Sequence, residues 1–110
     1  EERERLADAA RSGKAKREEL SGSTISITSL GALGAIATTP IINHPEVAIL
    51  GVNQIHDRPM VIDGDIVARK MMYLSPSFDH RVIDGATVAR LSKLWASYLE
   101  NPMLISLNSV

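Results

Sequence analysis

Hydroxyl and isoleucine alternate along Thr24-Ile25-Ser26-Ile27-Thr28, the two-residue period of a half-buried strand. The isoleucines are expected to face a core and the hydroxyls to face away. Upstream, Leu6, Ala9 and Ala10 fall at helical spacing among charges, and Gly13 stands where such a helix would stop. Downstream, Ser29 to Glu46 is interrupted too often by glycine and proline for a regular element, which predicts a long loop. Val47 to Val52 is short and apolar on both faces, the pattern of a central strand covered on both sides. Asp63-Gly64 separates Met60-Val61-Ile62 from Asp65-Ile66-Val67, and Asp-Gly favours the positive backbone angles of a two-residue hairpin turn. The second arm is expected to run from Asp65 to Phe78, with Pro76 restricted to an edge or a bulge. Val88, Leu91, Leu94, Trp95 and Tyr98 then mark one stripe of a helix opened by Asp84 as N-cap and closed by Asn101-Pro102. The predicted order is helix, strand, long loop, strand, hairpin, helix. The tail from Met103 is apolar for its position and is expected to dock, for instance onto another subunit.

Composition narrows the function classes. At 110 residues the chain suits one small domain, and 45% apolar with 23% charged residues excludes a disordered or fibrous class. Twelve basic side chains balance thirteen acidic ones, so no net field draws the chain to nucleic acid or to an anionic membrane. The longest apolar run, Ala32 to Val52, is broken by Thr38, Thr39, Pro40, Asn43, His44, Pro45 and Glu46 and does not read as a membrane span. Without cysteine there is no disulfide, no zinc–cysteine site and no cysteine nucleophile, and any thiol chemistry must come from a ligand. The first nineteen residues are rich in both charge signs and carry no targeting pattern. A start in mid-protein is expected, with a cytoplasmic location in a bacterium or archaeon, or the mitochondrial matrix in a eukaryote.

Acid–base chemistry has one well-placed candidate. His80 lies between the end of a strand and the cap of a helix, in a connection of the kind that holds catalytic groups on a rigid scaffold. An imidazole titrates ordinarily near pH 6.5, which suits it to take and return a proton. Asp84 has a sufficient local role as the cap, and Asp79 and Arg81 are placed to pair with each other. His44 and His56 sit in turn and hairpin surroundings as surface residues, and three scattered histidines form no metal motif. Spacing alone defines a possible acid/base site.

The stretch Asp79-His80-Arg81-Val82-Ile83-Asp84-Gly85 resembles the signature of the dihydrolipoyl acyltransferases, the core components of 2-oxo acid dehydrogenase complexes. Three further blocks resemble that family in the same order: Ser21 to Gly31, Pro40 to Val52, and Leu94 to Pro102. The resemblance implies an α/β fold, a chloramphenicol-acetyltransferase-like mixed sheet with helices, of which this chain is the C-terminal half. It also implies homotrimers with the active site between two subunits, and a larger core assembly. Lipoyl and peripheral-subunit-binding domains, which precede the catalytic domain in the family, are absent from this sequence. The implied partners are lipoyl domains and the decarboxylase and dihydrolipoyl dehydrogenase components, with no nucleic acid or membrane.

The reaction implied is transfer of an acyl group between dihydrolipoamide and coenzyme A, with coenzyme A as substrate and the lipoyl group presented by a lipoyl domain. By the family pattern His80 is the general base. A thiol near pKa 8.5 facing a base near 6.5 makes the proton transfer uphill by about 2.7 kcal/mol, small beside the barrier of thioester exchange. Thr28 matches the hydroxyl that steadies the oxyanion, at a position where many relatives carry serine. Asp84 is assigned an orienting role, through a pairing with an arginine for which this sequence offers no match, and Gly85 would permit close backbone approach or suit the helix start. A branched-chain 2-oxo acid is the first choice of substrate and pyruvate the second. Two other readings stay open: a catalytically silent structural or binding subunit of such a complex, and a small-molecule acetyltransferase of the same fold.

Overall fold

The computed structural model describes residues 1–109. Helix α1 spans Glu2–Arg11 and ends just before Gly13, whose φ of 70° suits glycine. Its charges act locally: Arg5 Nη2 donates to Glu2 and to Glu19, at 2.8 Å each, and so ties α1 to the 3-10 turn Arg17–Leu20.

A three-stranded mixed sheet carries the architecture. Strands β1 (Ser26–Ser29), β2 (Ala48–Val52) and β5 (Leu74–Phe78) lie in the order β1-β2-β5. β1 runs parallel to β2 with Thr28 opposite Gly51, and β5 runs antiparallel with Phe78 opposite Ala48 and Ser75 opposite Gly51. As the unbroken apolar run predicted, β2 is central, and its Ile49 and Leu50 are the buried hydrophobic residues. Gly51 has no room for a side chain, because a Cβ there would meet Thr38 Oγ1 at 2.5 Å and the Ser75 carbonyl at 3.0 Å. Gly51→Ala is therefore expected to lower unfolding stability by about 1–3 kcal/mol in a denaturant titration.

Two expectations are corrected. β1 starts two residues later than its alternation implied, and its inner side is the hydroxyl side: Ser26 and Thr28 are half-buried while Ile27 is 70% exposed. The loop before β2 supplies the reason, since Thr38 packs over Gly51 beside Thr28 and covers the hydroxyl side from within this chain. The hairpin arm also ends early. β3 (His56–Ile62) and β4 (Asp65–Met71) pair in register through Ile62 opposite Asp65, with Asp63 at φ 52° and Gly64 at φ 87° in the predicted turn. At Met72 the chain leaves that ladder, and Leu74–Phe78 joins the other sheet as β5. Asn53, almost fully buried, fixes the crossing by donating to Tyr73 O at 2.8 Å and Ser75 Oγ at 3.0 Å. Pro76 lies opposite Leu50 on the outer strand of the described sheet, an edge position where its missing N–H is tolerated.

Helix α2 spans Gly85–Glu100 and turns its apolar stripe towards β5, around a small apolar cavity of about 150 Å³ bordered by Ala48, Phe78, Ile83, Val88, Leu91 and Trp95. The stripe is only half covered, with Leu91 and Leu94 at 37% and 46% exposure. After Asn101 the tail forms a short helix, α3 (Met103–Asn108), that the sequence reading did not anticipate. Met103, Ile105 and Leu107 on it are exposed, while Leu104 is half-buried where α3 meets α2. The last residue of the tail, Val110, lies outside the described residues. The radius of gyration is 16.9 Å, against about 13 Å for a closed domain of this length. No helix among the described residues is long and apolar enough to cross a membrane.

Candidate active site

β5 delivers the chain to His80, and a tight turn carries it on into α2. Asp79 is the hub of that turn. Its N–H donates to Val47 O of the strand region at 2.8 Å, and its carbonyl accepts from the amides of Val82 and Ile83, both at 3.0 Å. His80 is left exposed at the head of the turn, with its ring 5.6 Å from the Phe78 ring and tilted by 42°.

The predicted pairing of Asp79 with Arg81 is present and multiple. Arg81 donates from its backbone N and from Nε to Asp79 Oδ1, at 3.0 Å each, and from Nη2 to Oδ2 at 2.7 Å. These donors hold the Asp79 carboxyl at about 2, well below its ordinary value. Since the folded value is the lower one, the contact contributes fully above the ordinary carboxylate range and is lost as pH falls through about 2.

Asp84 caps α2 as predicted. Its Oδ1 accepts from Thr87 N at 2.7 Å and its Oδ2 from Thr87 Oγ1 at 3.2 Å, and these bonds lower its pKa, with a smaller electrostatic contribution from His80. Asp84→Ala is expected to speed amide hydrogen exchange at Thr87 and the first turn of α2, while Asp84→Asn, which keeps an acceptor, leaves exchange close to native. Of the two roles expected for Gly85 the helix start is the one seen: it is the first residue of α2, and nothing lies within 4 Å of the place its Cβ would occupy.

Thr28 lies elsewhere. It borders an open cleft of about 430 Å³ with Leu30, Thr38, Thr39, Pro40 and Ile41. Thr28 is level with Gly51 and Phe78 with Ala48, on opposite sides of β2. At about 3.3 Å per residue and about 4.8 Å per strand, Thr28 and Phe78 are roughly 14 Å apart at Cα. Past Phe78 the strand direction leads further from Thr28. His80 and Asp84 thus share one end of the sheet, and Thr28 is at the other.

Among the other histidines, His44 is exposed beside a cis peptide bond to Pro45, and His56 begins β3 with Nδ1 3.3 Å from Gln54 O. Two polar residues escaped the sequence reading. One is Asn53, at the crossing between the sheets. The other is Glu46, which is buried just before β2 and accepts from the Ser23 hydroxyl, with Ser26 helping to lower its pKa. The only sequence signal for either was a polar residue flanking an apolar strand.

The comparisons establish the family. The family model for the 2-oxoacid dehydrogenases acyltransferase catalytic domain matches residues 1–107, and the chain belongs to that family. The chain is 62% identical over 103 residues to the lipoamide acyltransferase component of the branched-chain alpha-keto acid dehydrogenase complex of Pseudomonas aeruginosa, a match covering 94% of this chain and 24% of that protein. Among solved structures, the dihydrolipoamide acetyltransferase of Azotobacter vinelandii superposes with a TM-score of 0.89 at 46% identity, over 94% of this chain and 43% of that one. The cubic core of the pyruvate dehydrogenase multienzyme complex gives the same TM-score at 44% identity, with the same coverage of both chains. The chain therefore spans about a quarter of the length of its sequence relative and under half of the solved cores.

Proposed function

We propose that this chain contributes the proton-transfer residue and the oxyanion donor of an acyltransferase that exchanges acyl groups between dihydrolipoamide and coenzyme A. One observation carries the reading. The crystallographic and enzymatic work on the Azotobacter enzyme concerns a serine, a histidine and an asparagine in its catalytic mechanism. The separations between those three are the separations between Thr28, His80 and Asp84 here, with threonine replacing serine and aspartate replacing asparagine.

His80 removes the proton from the attacking thiol, and the thiolate adds to the thioester carbonyl. The resulting oxyanion accepts a hydrogen bond from the Thr28 hydroxyl. Collapse expels the other sulfur, which takes the proton back from the imidazolium, so atoms and charge balance. Asp84 acts by capping α2 and so ending the His80 turn.

The separation of Thr28 from His80 favours a site completed by two chains, with the histidine of one facing the threonine of its neighbour. A trimer provides such a head-to-tail contact three times. The exposed Ile27, Val61, Ile66 and Leu107 supply apolar surface for subunit contacts and for a larger core assembly. Lipoyl domains, a decarboxylase that charges them and a dihydrolipoyl dehydrogenase that reoxidises them are the partners that fit this reaction. A branched acyl group is preferred, because identity to the branched-chain relative exceeds that to the acetyltransferases. The test is the rate of acyl transfer by the full-length protein with branched-chain and acetyl donors, native against His80→Ala. Loss of transfer on substitution supports the reading, and a native rate sinks it.

A further inference from the structure

A base that moves a proton between two sulfur atoms must hold its ring nitrogens in one place through both half-reactions. In this structure the Asp84 carboxylate accepts from Thr87 on both oxygens and makes no hydrogen bond to the imidazole, so the placement of the ring has another source. The residues on either side of His80 provide it. Asp79 is tied to Val47 through its N–H and to Val82 and Ile83 through its carbonyl, and three donors of Arg81 close on its carboxylate from the far side of the histidine. The Asp79 side chain is 20% exposed, whereas that of Arg81 is 87% exposed, so the arginine folds back over the turn to reach an acceptor already fixed. The Phe78 ring meets the imidazole from β5.

We propose that Asp79 and Arg81 are positioning residues for His80, their ion pair closing the turn around the histidine so that its imidazole stays against Phe78 in a single placement. The inference rests on the reading of His80 as the base. An exposed ion pair contributes little to stability in general, so a clamp of this kind acts on geometry. A misplacement of about 1 Å in a reacting group lowers a rate by about 100-fold.

The experiment uses the full-length protein and steady-state acyl transfer between dihydrolipoamide and coenzyme A. Arg81→Gln and Asp79→Asn are each expected to lower kcat by about 10- to 100-fold, with KM for both thiols within about twofold of native. Because the pair acts as one unit, the double variant is expected to be no slower than the slower single one. Arg81→Lys, which keeps the charge but not the fork, recovers part of the loss. Native kcat in both single variants overturns the proposal. So do strictly multiplying effects, a raised KM at unchanged kcat, or a fall in kcat that tracks a lowered melting temperature. His80→Ala is measured alongside: a native rate there overturns base and clamp together, while an inactive His80→Ala beside a fully active Arg81→Gln overturns the clamp alone.

Discussion

Replacing His80 by alanine in the full-length protein is expected to lower kcat for acyl transfer by about two to four orders of magnitude, the usual contribution of a positioned acid–base group. Folding should be untouched, because the side chain is exposed and the turn is held by the backbone of Asp79 and by Arg81. KM for coenzyme A should move little, since the histidine acts on the reacting sulfur and not on the rest of the cofactor. A stopped assay with purified acyl-coenzyme A and dihydrolipoamide measures kcat and KM. A substitution that leaves the rate intact would falsify the base assignment and leave the chain with a structural part in its complex.

Much of the fold was legible because it was written in local patterns. Asp63-Gly64 specified its turn through backbone angles that few other pairs adopt, and both residues have positive φ. The unbroken apolar run of Val47 to Val52 identified the central strand because only a strand covered on both sides omits alternation. Asp84 and Asn101-Pro102 bounded α2 because capping is a short-range hydrogen-bonding problem. What failed was long-range. The alternation in Thr24 to Thr28 gave the right period but could not say which side would be covered, since that depends on where the Thr38 loop returns. The switch from the hairpin to β5 after Met71 was equally invisible, because it is decided by Asn53, twenty residues earlier, and by β2's need for a second partner.

For the candidate site, sequence sufficed to place His80 in the strand-to-helix connection and to pair Asp79 with Arg81, since all three lie within one turn. It did not show that Asp84 spends both oxygens on Thr87. Nor did it show that Thr28 lies at the opposite end of the sheet from His80. The first is a choice among nearby donors, settled only by side-chain geometry. The second follows from the parallel pairing of β1 with β2, which joins segments more than twenty residues apart.

Thr28→Val removes the hydroxyl while keeping the branched shape, and it is expected to lower kcat by about 100- to 1,000-fold, the cost of losing one oxyanion donor. Thr28→Ser should stay close to native, because it retains the donor and only relaxes the rotamer. The decisive experiment mixes two inactive proteins. If the roughly 14 Å between Thr28 and the end of β5 is bridged by a neighbouring chain, a trimer containing both Thr28→Val and His80→Ala chains rebuilds intact sites wherever a good histidine faces a good threonine. Equal co-expression with random assembly makes about one site in four intact, so the mixture should run at about a quarter of the native rate. Separately purified variants, combined without subunit exchange, should stay inactive. Failure of the co-expressed mixture to recover activity would mean that both groups act within one chain, and the sheet would then have to rearrange to bring Thr28 to His80. Recovery would make the separation of Thr28 from the end of β5 the physical reason that this active site needs more than one chain.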